Sequence, residues 1–461
     1  MNFVYRLKQL ILVSGDIICF GLAFFMSLAL RQIALPSFES VAINIPLFIK
    51  LFAVWIIINF INGLYDLGRI SGNHAYRRLI ESCAISVLVS IIALYLTGNS
   101  LTPKTLLILS SVSGYGLAGL WRFWYSKITA YANLQTRIIF LGYNTEVQEI
   151  VELITKSPEK GYVVSAIFDP EQKIKPSDLP GINIYTSLTA LRPAITTHKA
   201  HSVVSAPHLK EQPEIVRELY ELLFWPVHLS DSSSLYETIT GRVPPSTFSD
   251  GWFISNLSNL DQPSYNSFRR LIDYIAGITM GLIFITLGSI VALVIKLTSR
   301  GPVLYRQMRV GYRDEHFSIY KFRTMYALST DGSAEMAGAE FAQKDDKRVT
   351  PFGRFLRRTR LDELPQFWNL LRGDITLIGP RPERPEIVAK LEAHMPYYPL
   401  RHLVKPGITG WAAINQHYTS TLAQAIQKLQ YDLYYIKNRS LLLDISIMLR
   451  TINVVLRMMG Q

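Results

Sequence analysis

The chain has 461 residues, of which 49% are hydrophobic, and its mean hydropathy of +0.19 is too apolar for an ordinary soluble protein. Its formal net charge is +12, and most of the excess follows Ser267, where 27 Lys and Arg face 16 Asp and Glu. A basic region behind apolar segments indicates anionic lipid headgroups, phosphorylated substrates or both. Nucleic acid is excluded as a partner because no helix-turn-helix, zinc or RNA-recognition motif accompanies the charge. The two cysteines, Cys19 and Cys83, lie in apolar runs, which excludes a disulfide framework and a zinc site.

Four apolar stretches fill the first quarter of the chain and predict a four-helix transmembrane region over residues 1–130. Each is close to the ~20 residues that a helix needs to cross a bilayer. The connections expected on one side of the membrane carry more Lys and Arg than the others, so both ends of this region are predicted to face the cytoplasm. The stretches are residues 10–30, 43–61, 79–96 and 105–125.

One acidic residue, Asp16, falls inside the first predicted span. An intramembrane carboxylate can be a functional charge on an ion or proton path. Its position about two turns from the membrane interface favours the other interpretation, a structural ion pair with a nearby base.

A change of pattern from 131 to 240 predicts an α/β domain with a doubly wound sheet, because short β-branched runs alternate with amphipathic helical ones. The turn after the first strand, Gly142-Tyr143-Asn144, keeps only the first glycine of a dinucleotide-binding G-x-G-x-x-G motif. A scaffolding or regulatory domain is therefore favoured over a nucleotide site, which stays open. Residues 241–266 are rich in proline and glycine and predict a linker.

A fifth apolar segment, residues 271–297, opens the last domain, predicted over 267–461. It is long enough to span, yet Arg269 and Lys296 lie at its two ends, which places both ends on the cytoplasmic side. We therefore expect a re-entrant helix that bends at Gly288-Ser289, where glycine lowers the resistance to bending and serine satisfies a freed carbonyl.

The reactive residues are expected after this segment, in four clusters that mix charge with Gly and Pro. Asp362 and Glu363, neighbours on a predicted helix, would point about 100° apart, so that one attacks while the other holds a metal or water. Arginines around them, including Arg358 and Arg360, could hold a diphosphate or could reach to the membrane surface. The clusters are KFRTM at 321–325, RTRLDELPQFWNLLRGD at 358–374, IGPRPERP at 378–385 and KPGITGW at 405–411.

Taken in order, these clusters resemble the bacterial sugar transferase family of polyprenyl-phosphate phosphoglycosyl transferases, and the resemblance covers residues 268–461. It implies a mixed α/β membrane-associated catalytic domain with a nucleophilic Asp362, Glu363 beside it and Mg²⁺ bound at this acidic pair. It also implies that Lys321, Arg323 and Arg381 bind substrate phosphates. The chain departs from the family in having Gly288-Ser289 where a Ser-Pro pair is usual and Ala413 where Gln is usual.

The resemblance implies the transfer of a sugar-1-phosphate from a UDP-sugar to undecaprenyl phosphate, with release of UMP, at the start of exopolysaccharide, O-antigen or capsule synthesis. It further implies a homodimer in the bacterial inner membrane, in contact with its lipids, with the catalytic domain on the cytoplasmic face. The sugar stays open. The alternative is a non-catalytic assembly or regulatory protein of polysaccharide synthesis.

Two further expectations concern the ends of the last domain. Because every reactive cluster follows Phe268, a chain that starts near Asp261 is expected to retain transfer. The apolar run 440–458 contains Asp444, Arg450 and Arg457, which favours an amphipathic helix at the membrane interface over another span.

Overall fold

A computed structural model describes residues 3–65, 73–96, 104–131, 135–156, 161–174, 179–257, 260, 262–327, 346, 348–416 and 421–456. The chain forms two compact units, Met1–Ile239 and Thr240–Gln461.

The first unit begins with four long apolar helices, at the places that the sequence predicts. All four are long and apolar enough to cross a membrane. Aromatic side chains, Phe20, Phe48, Trp55 and Tyr115 among them, fill the interior of this helical bundle. The helices are α1 (Phe3–Gln32), α2 (Phe38–Ile61), α3 (Asn73–Leu96) and α4 (Lys104–Tyr131).

Asp16 pairs with a base inside this bundle, as predicted. Both its oxygens accept hydrogen bonds from Arg122 of α4, at 2.6 and 2.7 Å, and Tyr65 donates a third at 3.0 Å. The two charged side chains are 0% and 5% exposed. Since an unpaired charge would be far too costly there, the pair holds α1 against α4.

The rest of the first unit is a five-stranded parallel sheet in the order β3-β2-β1-β4-β5. Ile138 and Phe140 of β1 face one hydrophobic cluster, with helices α5 and α8, and Ile139 and Leu141 face another, with α6 and α7. This follows from the two-residue repeat of a strand. The elements are β1 (Thr136–Leu141), α5 (Thr145–Lys156), β2 (Tyr162–Phe168), β3 (Asn183–Tyr185), α6 (Leu191–Thr197), β4 (Ser202–Ser205), α7 (Pro213–Leu222), β5 (His228–Asp231) and α8 (Ser232–Thr240).

The turn after β1 is packed against protein side chains. Gly142 has a φ of +92°, and a Cβ built on it would lie 2.5 Å from a methyl carbon of Leu209. This is a close backbone approach that only glycine allows. Leu209 thus occupies the space beside the single glycine that survives from the motif.

The second unit begins earlier than the sequence suggests. Residues 241–266, predicted as a linker, include helix α9 (Asp250–Leu257), and Val243, Phe253 and Leu257 are buried in the core of this unit. The proline and glycine residues of this segment belong to ordered turns and helices and not to a linker. Gly241, for example, has a φ of +68°, and its carbonyl oxygen accepts a hydrogen bond from Trp411 Nε1 at 2.8 Å.

Helix α10 (Pro263–Thr298) is the fifth helix long enough to cross a membrane, and it continues through Gly288-Ser289 without interruption. The continuous helix does not by itself test the bend expected at these two residues. Glycine permits a bend but does not force one, since it keeps the backbone N–H that proline lacks. The re-entrant path stays a prediction.

The remaining elements form an α/β unit around a core that contains Tyr398, Leu429, Leu433 and Ile447. Strands β6 and β7 form an antiparallel hairpin, and β8 and β9 form a short parallel pair. The elements are β6 (Leu304–Val310), β7 (His316–Phe322), α11 (Pro351–Thr359), α12 (Phe367–Arg372), β8 (Thr376–Ile378), α13 (Pro385–His394), β9 (Gly407–Thr409), α14 (Trp411–Asn415), α15 (Leu422–Lys437) and α16 (Leu441–Leu456).

Helix α16 has 16 residues, fewer than the ~20 needed to span. Ile447 is fully buried in the core of the unit, whereas Leu442 is 79% exposed. Its acid, Asp444, points inward and accepts hydrogen bonds from Tyr265 and Tyr435, both at 2.9 Å. The helix is therefore amphipathic, and its place at the membrane interface stays a prediction.

Candidate active site

The acidic pair lies on a tight turn between two short helices, not on the single helix that the sequence predicts. Helix α11 ends at Thr359, and Arg360 adopts a left-handed conformation with φ +60°. A 3-10 turn, Leu361–Gln366, then carries Asp362 and Glu363. Positive φ is uncommon for a residue other than glycine. At Arg360 it ends helix α11 and turns the chain into the 3-10 turn. Pro365, which cannot donate a backbone hydrogen bond, favours a turn over a continued α-helix.

Helix α12, which directly follows this turn, packs on α10 through two glycines of α10. A Cβ on Gly277 would lie 2.8 Å from Leu371, and one on Gly281 would lie 3.2 Å from Phe367. The ring centroid of Phe367 is also 5.2 Å from that of Phe284. Small residues let the two helices approach closely, which fixes the acidic turn against α10.

Glu363 forms ion pairs with three cationic side chains from separate parts of the chain. Lys321 Nζ lies 3.0 Å from Oε1, Arg381 Nη2 lies 3.2 Å from the same oxygen, and Arg360 Nη1 lies 3.3 Å from both oxygens. Lys321 is on β7, Arg360 joins α11 to the turn, and Arg381 is on the loop before α13. The three cations and two carboxylates leave one excess positive charge, which suits an anionic substrate.

The two acids have opposite electrostatic settings although they are neighbours in sequence. Burial alone would raise the pKa of Glu363, but Lys321, Arg381 and Arg360 hold it well below its usual value. Burial raises the pKa of Asp362 to about 6, with Glu363 adding to the rise and Lys321 opposing it. Asp362 Oδ1 is buried and accepts no hydrogen bond from the described residues. Glu363 is therefore a fixed anion, whereas Asp362 keeps an oxygen available for chemistry.

Lys321 is held in place by Asn369, a buried neighbour whose role the sequence did not reveal. Asn369 is fully buried, and its Nδ2 donates to Ser318 O at 2.7 Å while its Oδ1 accepts from the backbone N–H of Tyr320 at 3.3 Å. These bonds tie strand β7, and with it Lys321, to α12. The only sequence signal was the position of Asn369 within a charged cluster.

The glycines of IGPRPERP and KPGITGW allow two backbones to pack directly beside Arg381. Gly379 N donates to Thr409 O at 2.8 Å, and Gly407 N donates to Pro380 O at 2.9 Å. A Cβ on Gly379 would lie 2.5 Å from Lys405 O, and one on Gly410 would lie 2.2 Å from Gly379 O. The KPGITGW segment is therefore a support for the loop that carries Arg381.

The structure brings together Lys321, Arg360, Arg381, Asp362 and Glu363, but it gives Arg323 and Arg358 other places. Arg323 donates to the carbonyls of Ser299 and Arg300 and so caps the C-terminal end of α10. It follows the last residue of β7, so the alternation that would place it beside Lys321 has ended. Arg358 is exposed on α11, and no hydrogen bond described here joins it to the acidic pair. The geometry gives no support to a phosphate-binding role for either arginine.

Metal binding at this site would depend on the substrate as well as on the protein. No group of three or more His, Cys, Asp or Glu that could hold a metal is found among the described residues. Mg²⁺, however, often binds one or two carboxylates together with substrate phosphates and water. The Asp362 carboxylate fits such a ligand, whereas Glu363 is already neutralised by its three cations.

A buried acidic pair beside clustered cations, in an α/β unit that opens with a long apolar helix, is the kind of site expected of a membrane-bound group-transfer enzyme. The family model described as bacterial sugar transferase matches residues 264–458, which hold every residue of this site. A relative from Caulobacter vibrioides is 32% identical to this chain, and the matched region covers 96% of that relative. Together the two matches show that the chain belongs to the bacterial sugar transferase family.

Several curated relatives support this assignment. The UDP-glucose:undecaprenyl-phosphate glucose-1-phosphate transferase of Caulobacter vibrioides is 32% identical over 281 residues, 60% of this chain and 96% of that protein. The UDP-N-acetylgalactosamine-undecaprenyl-phosphate N-acetylgalactosaminephosphotransferase of Aeromonas hydrophila is 42% identical over 224 residues, 49% of this chain and 51% of the relative. A Klebsiella pneumoniae UDP-glucose:undecaprenyl-phosphate glucose-1-phosphate transferase is 39% identical over 187 residues, 40% of this chain and 39% of the relative. The chain thus spans about half or less of the length of the last two.

A second family model, described as a CoA-binding domain, matches residues 61–230. Its range contains helices α3 and α4 and most of the parallel sheet. This is a similarity of sequence, and at the turn after β1 the side chain of Leu209 packs beside Gly142.

Proposed function

We propose that the chain transfers a sugar-1-phosphate from a UDP-sugar to undecaprenyl phosphate and releases UMP, as the first membrane step in making an exopolysaccharide, O-antigen or capsule. One observation carries the proposal. Glu363 forms ion pairs with Lys321, Arg360 and Arg381, and beside it Asp362 Oδ1 accepts no hydrogen bond from the described residues. The names of the relatives supply the substrate class, since three of them act on undecaprenyl phosphate with UDP-glucose or UDP-N-acetylgalactosamine.

The clustered cations can serve the substrate's diphosphate while still holding Glu363. The side chains of Arg381 and Arg360 are 40% and 31% exposed, whereas that of Glu363 is only 6% exposed. Part of each arginine side chain is therefore open to solvent, and an Arg guanidinium binds phosphate oxygens in pairs. Lys321, at 18% exposed, adds a positive charge beside them.

Asp362 is the better nucleophile of the two acids. Both oxygens of Glu363 accept hydrogen bonds from cations, which withdraw electron density, whereas Asp362 Oδ1 is free of them. In the first step this oxygen attacks the phosphorus next to the sugar, an acyl phosphate bond forms, and UMP leaves with the electrons of the broken P–O bond. In the second step an oxygen of undecaprenyl phosphate attacks the same phosphorus and releases the Asp362 carboxylate. Soluble donor and lipid acceptor thus use one site in turn.

Mg²⁺ would supply charge neutralisation for the diphosphate and the departing UMP, held by the substrate's phosphates and by the Asp362 oxygen that does not attack. Through its ion pairs, Glu363 positions Lys321, Arg360 and Arg381 to bind that diphosphate. Both acidic residues are buried, which limits the access of water to the acyl phosphate.

The setting that we propose is the bacterial inner membrane, with the second unit on its cytoplasmic face and in contact with membrane lipids. Arg269 and Lys296 near the two ends of α10 support a path that enters and leaves from this side. We also propose a homodimer, in line with the family resemblance.

The test is a UMP-release assay on the purified full-length protein with Mg²⁺, undecaprenyl phosphate and a panel of UDP-sugars that includes UDP-glucose and UDP-N-acetylgalactosamine. Wild type should release UMP with one or more sugars, and Asp362→Asn should lose more than about 1,000-fold of the rate. Arg358→Gln, on the surface, is the matched control and should keep it. Failure of wild type with every sugar, in a folded preparation, would contradict the proposal.

A further inference from the structure

A group of buried charges lies behind the loop that carries Arg381, and the mechanism above does not use it. Arg401 and Asp432 are 1% and 2% exposed, and their side chains approach to 2.8 Å. Burying such a pair gains little stability, because apolar side chains of similar size often serve as well. Its presence therefore needs another explanation, and the contacts of Arg401 supply one.

Arg401 reaches the backbone of the phosphate-binding loop. Its Nη2 donates to the carbonyl of Arg381 at 2.8 Å, and the same nitrogen is the one that faces Asp432. Its Nη1 donates to the hydroxyl of Tyr398, which fixes the guanidinium plane. The guanidinium of Arg401 thus fixes the peptide group between Arg381 and Pro382, next to the Cα that carries the Arg381 side chain.

Helix α15, which carries Asp432, also holds Glu383, two residues further along the loop. Lys428 and Asp432 are four residues apart and so share one face of this helix. Lys428 pairs with Glu383 directly, and Asp432 reaches Arg381 through Arg401. Burial alone would raise the pKa of Glu383, but Lys428, Arg401 and Arg309 lower it to about 2, so it remains an anion.

We infer that Arg401, held by Asp432, is a positioning residue that sets the direction of the Arg381 side chain and thereby the affinity for a substrate diphosphate. A guanidinium that must meet two phosphate oxygens tolerates little error, because a misplacement of about 1 Å at a reacting site can cost about 100-fold in rate. The inference rests on the proposed function in that it assigns the diphosphate to Arg381.

The experiment is a double-mutant cycle on the full-length protein, with binding of uridine diphosphate measured by calorimetry and UMP release measured in parallel. Arg401→Lys keeps the charge beside Asp432 but loses the paired N–H groups. It should weaken UDP binding about tenfold in wild type and less than about twofold in Arg381→Gln, because a residue that acts through Arg381 has no effect once Arg381 is absent. Asp432→Asn is the second variant and should show a smaller effect with the same dependence on Arg381.

The control is Leu433→Val on the same helix, fully buried and without a polar contact to the loop. It should lower the melting temperature and change UDP affinity equally in both backgrounds. Equal losses for Arg401→Lys in both backgrounds would overturn the inference and leave Arg401 a structural residue, as would a wild type that does not bind UDP. If the cycle behaves as expected but wild type releases no UMP from any UDP-sugar, the inference stands and the proposed function fails.

Discussion

Removing residues 240–260 is expected to unfold the second unit, although every reactive residue follows them. Val243, Phe253 and Leu257 of this segment are 0%, 6% and 5% exposed in its core. Burying a side chain of this kind contributes about 1.5–3 kcal/mol, so the three together contribute about 5–9 kcal/mol. The hydrogen bond from Trp411 to Gly241 is lost as well.

The expected loss is as large as the whole stability of a typical domain, about 5–15 kcal/mol. A chain that starts at Asp261, which the sequence suggests should retain transfer, is therefore predicted to be unfolded or inactive. A chain that starts at Thr240 keeps the segment and should be active, because the acidic pair and its cations lie wholly within it.

The comparison uses residues 240–461 and 261–461, purified in the same detergent and examined by thermal melting and by UMP release. The longer chain should give a cooperative transition and turnover, and the shorter one should give neither. The argument from burial would be refuted by a shorter chain that melts within about 2 °C of the longer one, since 1 kcal/mol already shifts the melting temperature of a large domain by about that much.

Three further predictions concern the site and its support. Arg360→Gln should lower kcat/KM for the UDP-sugar by about tenfold or more, because it removes a contact to Glu363, whereas Arg358→Gln should change it less than twofold. Gly379→Ala should lower thermal stability and activity together, because its Cβ would lie 2.5 Å from a backbone oxygen, whereas Gly251→Ala meets nothing within 4 Å and should be tolerated. Glu383→Gln should remove a loss of stability that wild type shows as pH falls from about 4.3 towards 2.

The sign of the last effect follows from the direction of the pKa shift. The folded pKa of Glu383 is about 2, below its unfolded value, so its stabilising contribution is present above the unfolded pKa and disappears as pH falls through the folded one. Equal acid titration of wild type and the glutamine variant would contradict it. Equal activity of the Arg360 and Arg358 variants would remove Arg360 from the site, and a fully active Gly379→Ala would show that the two backbones can separate.

The membrane helices and the parallel sheet were predictable because their signals are local. Twenty apolar residues in a row, or alternation of strand and helix patterns, need no knowledge of distant contacts. The Asp16 pair was predictable in kind, since a carboxylate inside a membrane helix requires a partner, but the identity of Arg122, 106 residues away, was not.

Other features depend on which segments meet, and the sequence predicted them poorly. The segment 241–266 has a linker-like composition, yet Phe253 and Leu257 pack in a core. The family resemblance implied a phosphate-binding role for Arg323 beside Lys321, but the strand ends between them and the guanidinium of Arg323 turns to α10. The bend expected at Gly288 stays a prediction for the same reason, because a residue that permits a bend does not decide whether one forms.

Within the site, the sequence predicted which residue types cluster but not the contacts that distinguish the two acids. Asp362 and Glu363 were predicted as neighbours on a helix, and only the family resemblance implied that Asp362 is the nucleophile. The 3-10 turn and the three cations on Glu363 separate them into a fixed anion and an acid with an unbonded oxygen. That difference came from Lys321, 41 residues before the pair, and Arg381, 18 after Glu363.

The central claim is that Asp362 becomes covalently attached to the sugar phosphate, and a single-turnover experiment without lipid tests it most directly. Wild-type enzyme, UDP-sugar and Mg²⁺ are mixed with no undecaprenyl phosphate, and UMP and the intact protein mass are measured. The account predicts a burst of about one UMP per active site and a mass gain of one sugar phosphate on Asp362, both absent in Asp362→Asn. No burst and no adduct in wild type, with product formed only when both substrates are present, would contradict it and make Asp362 a ligand in a ternary complex.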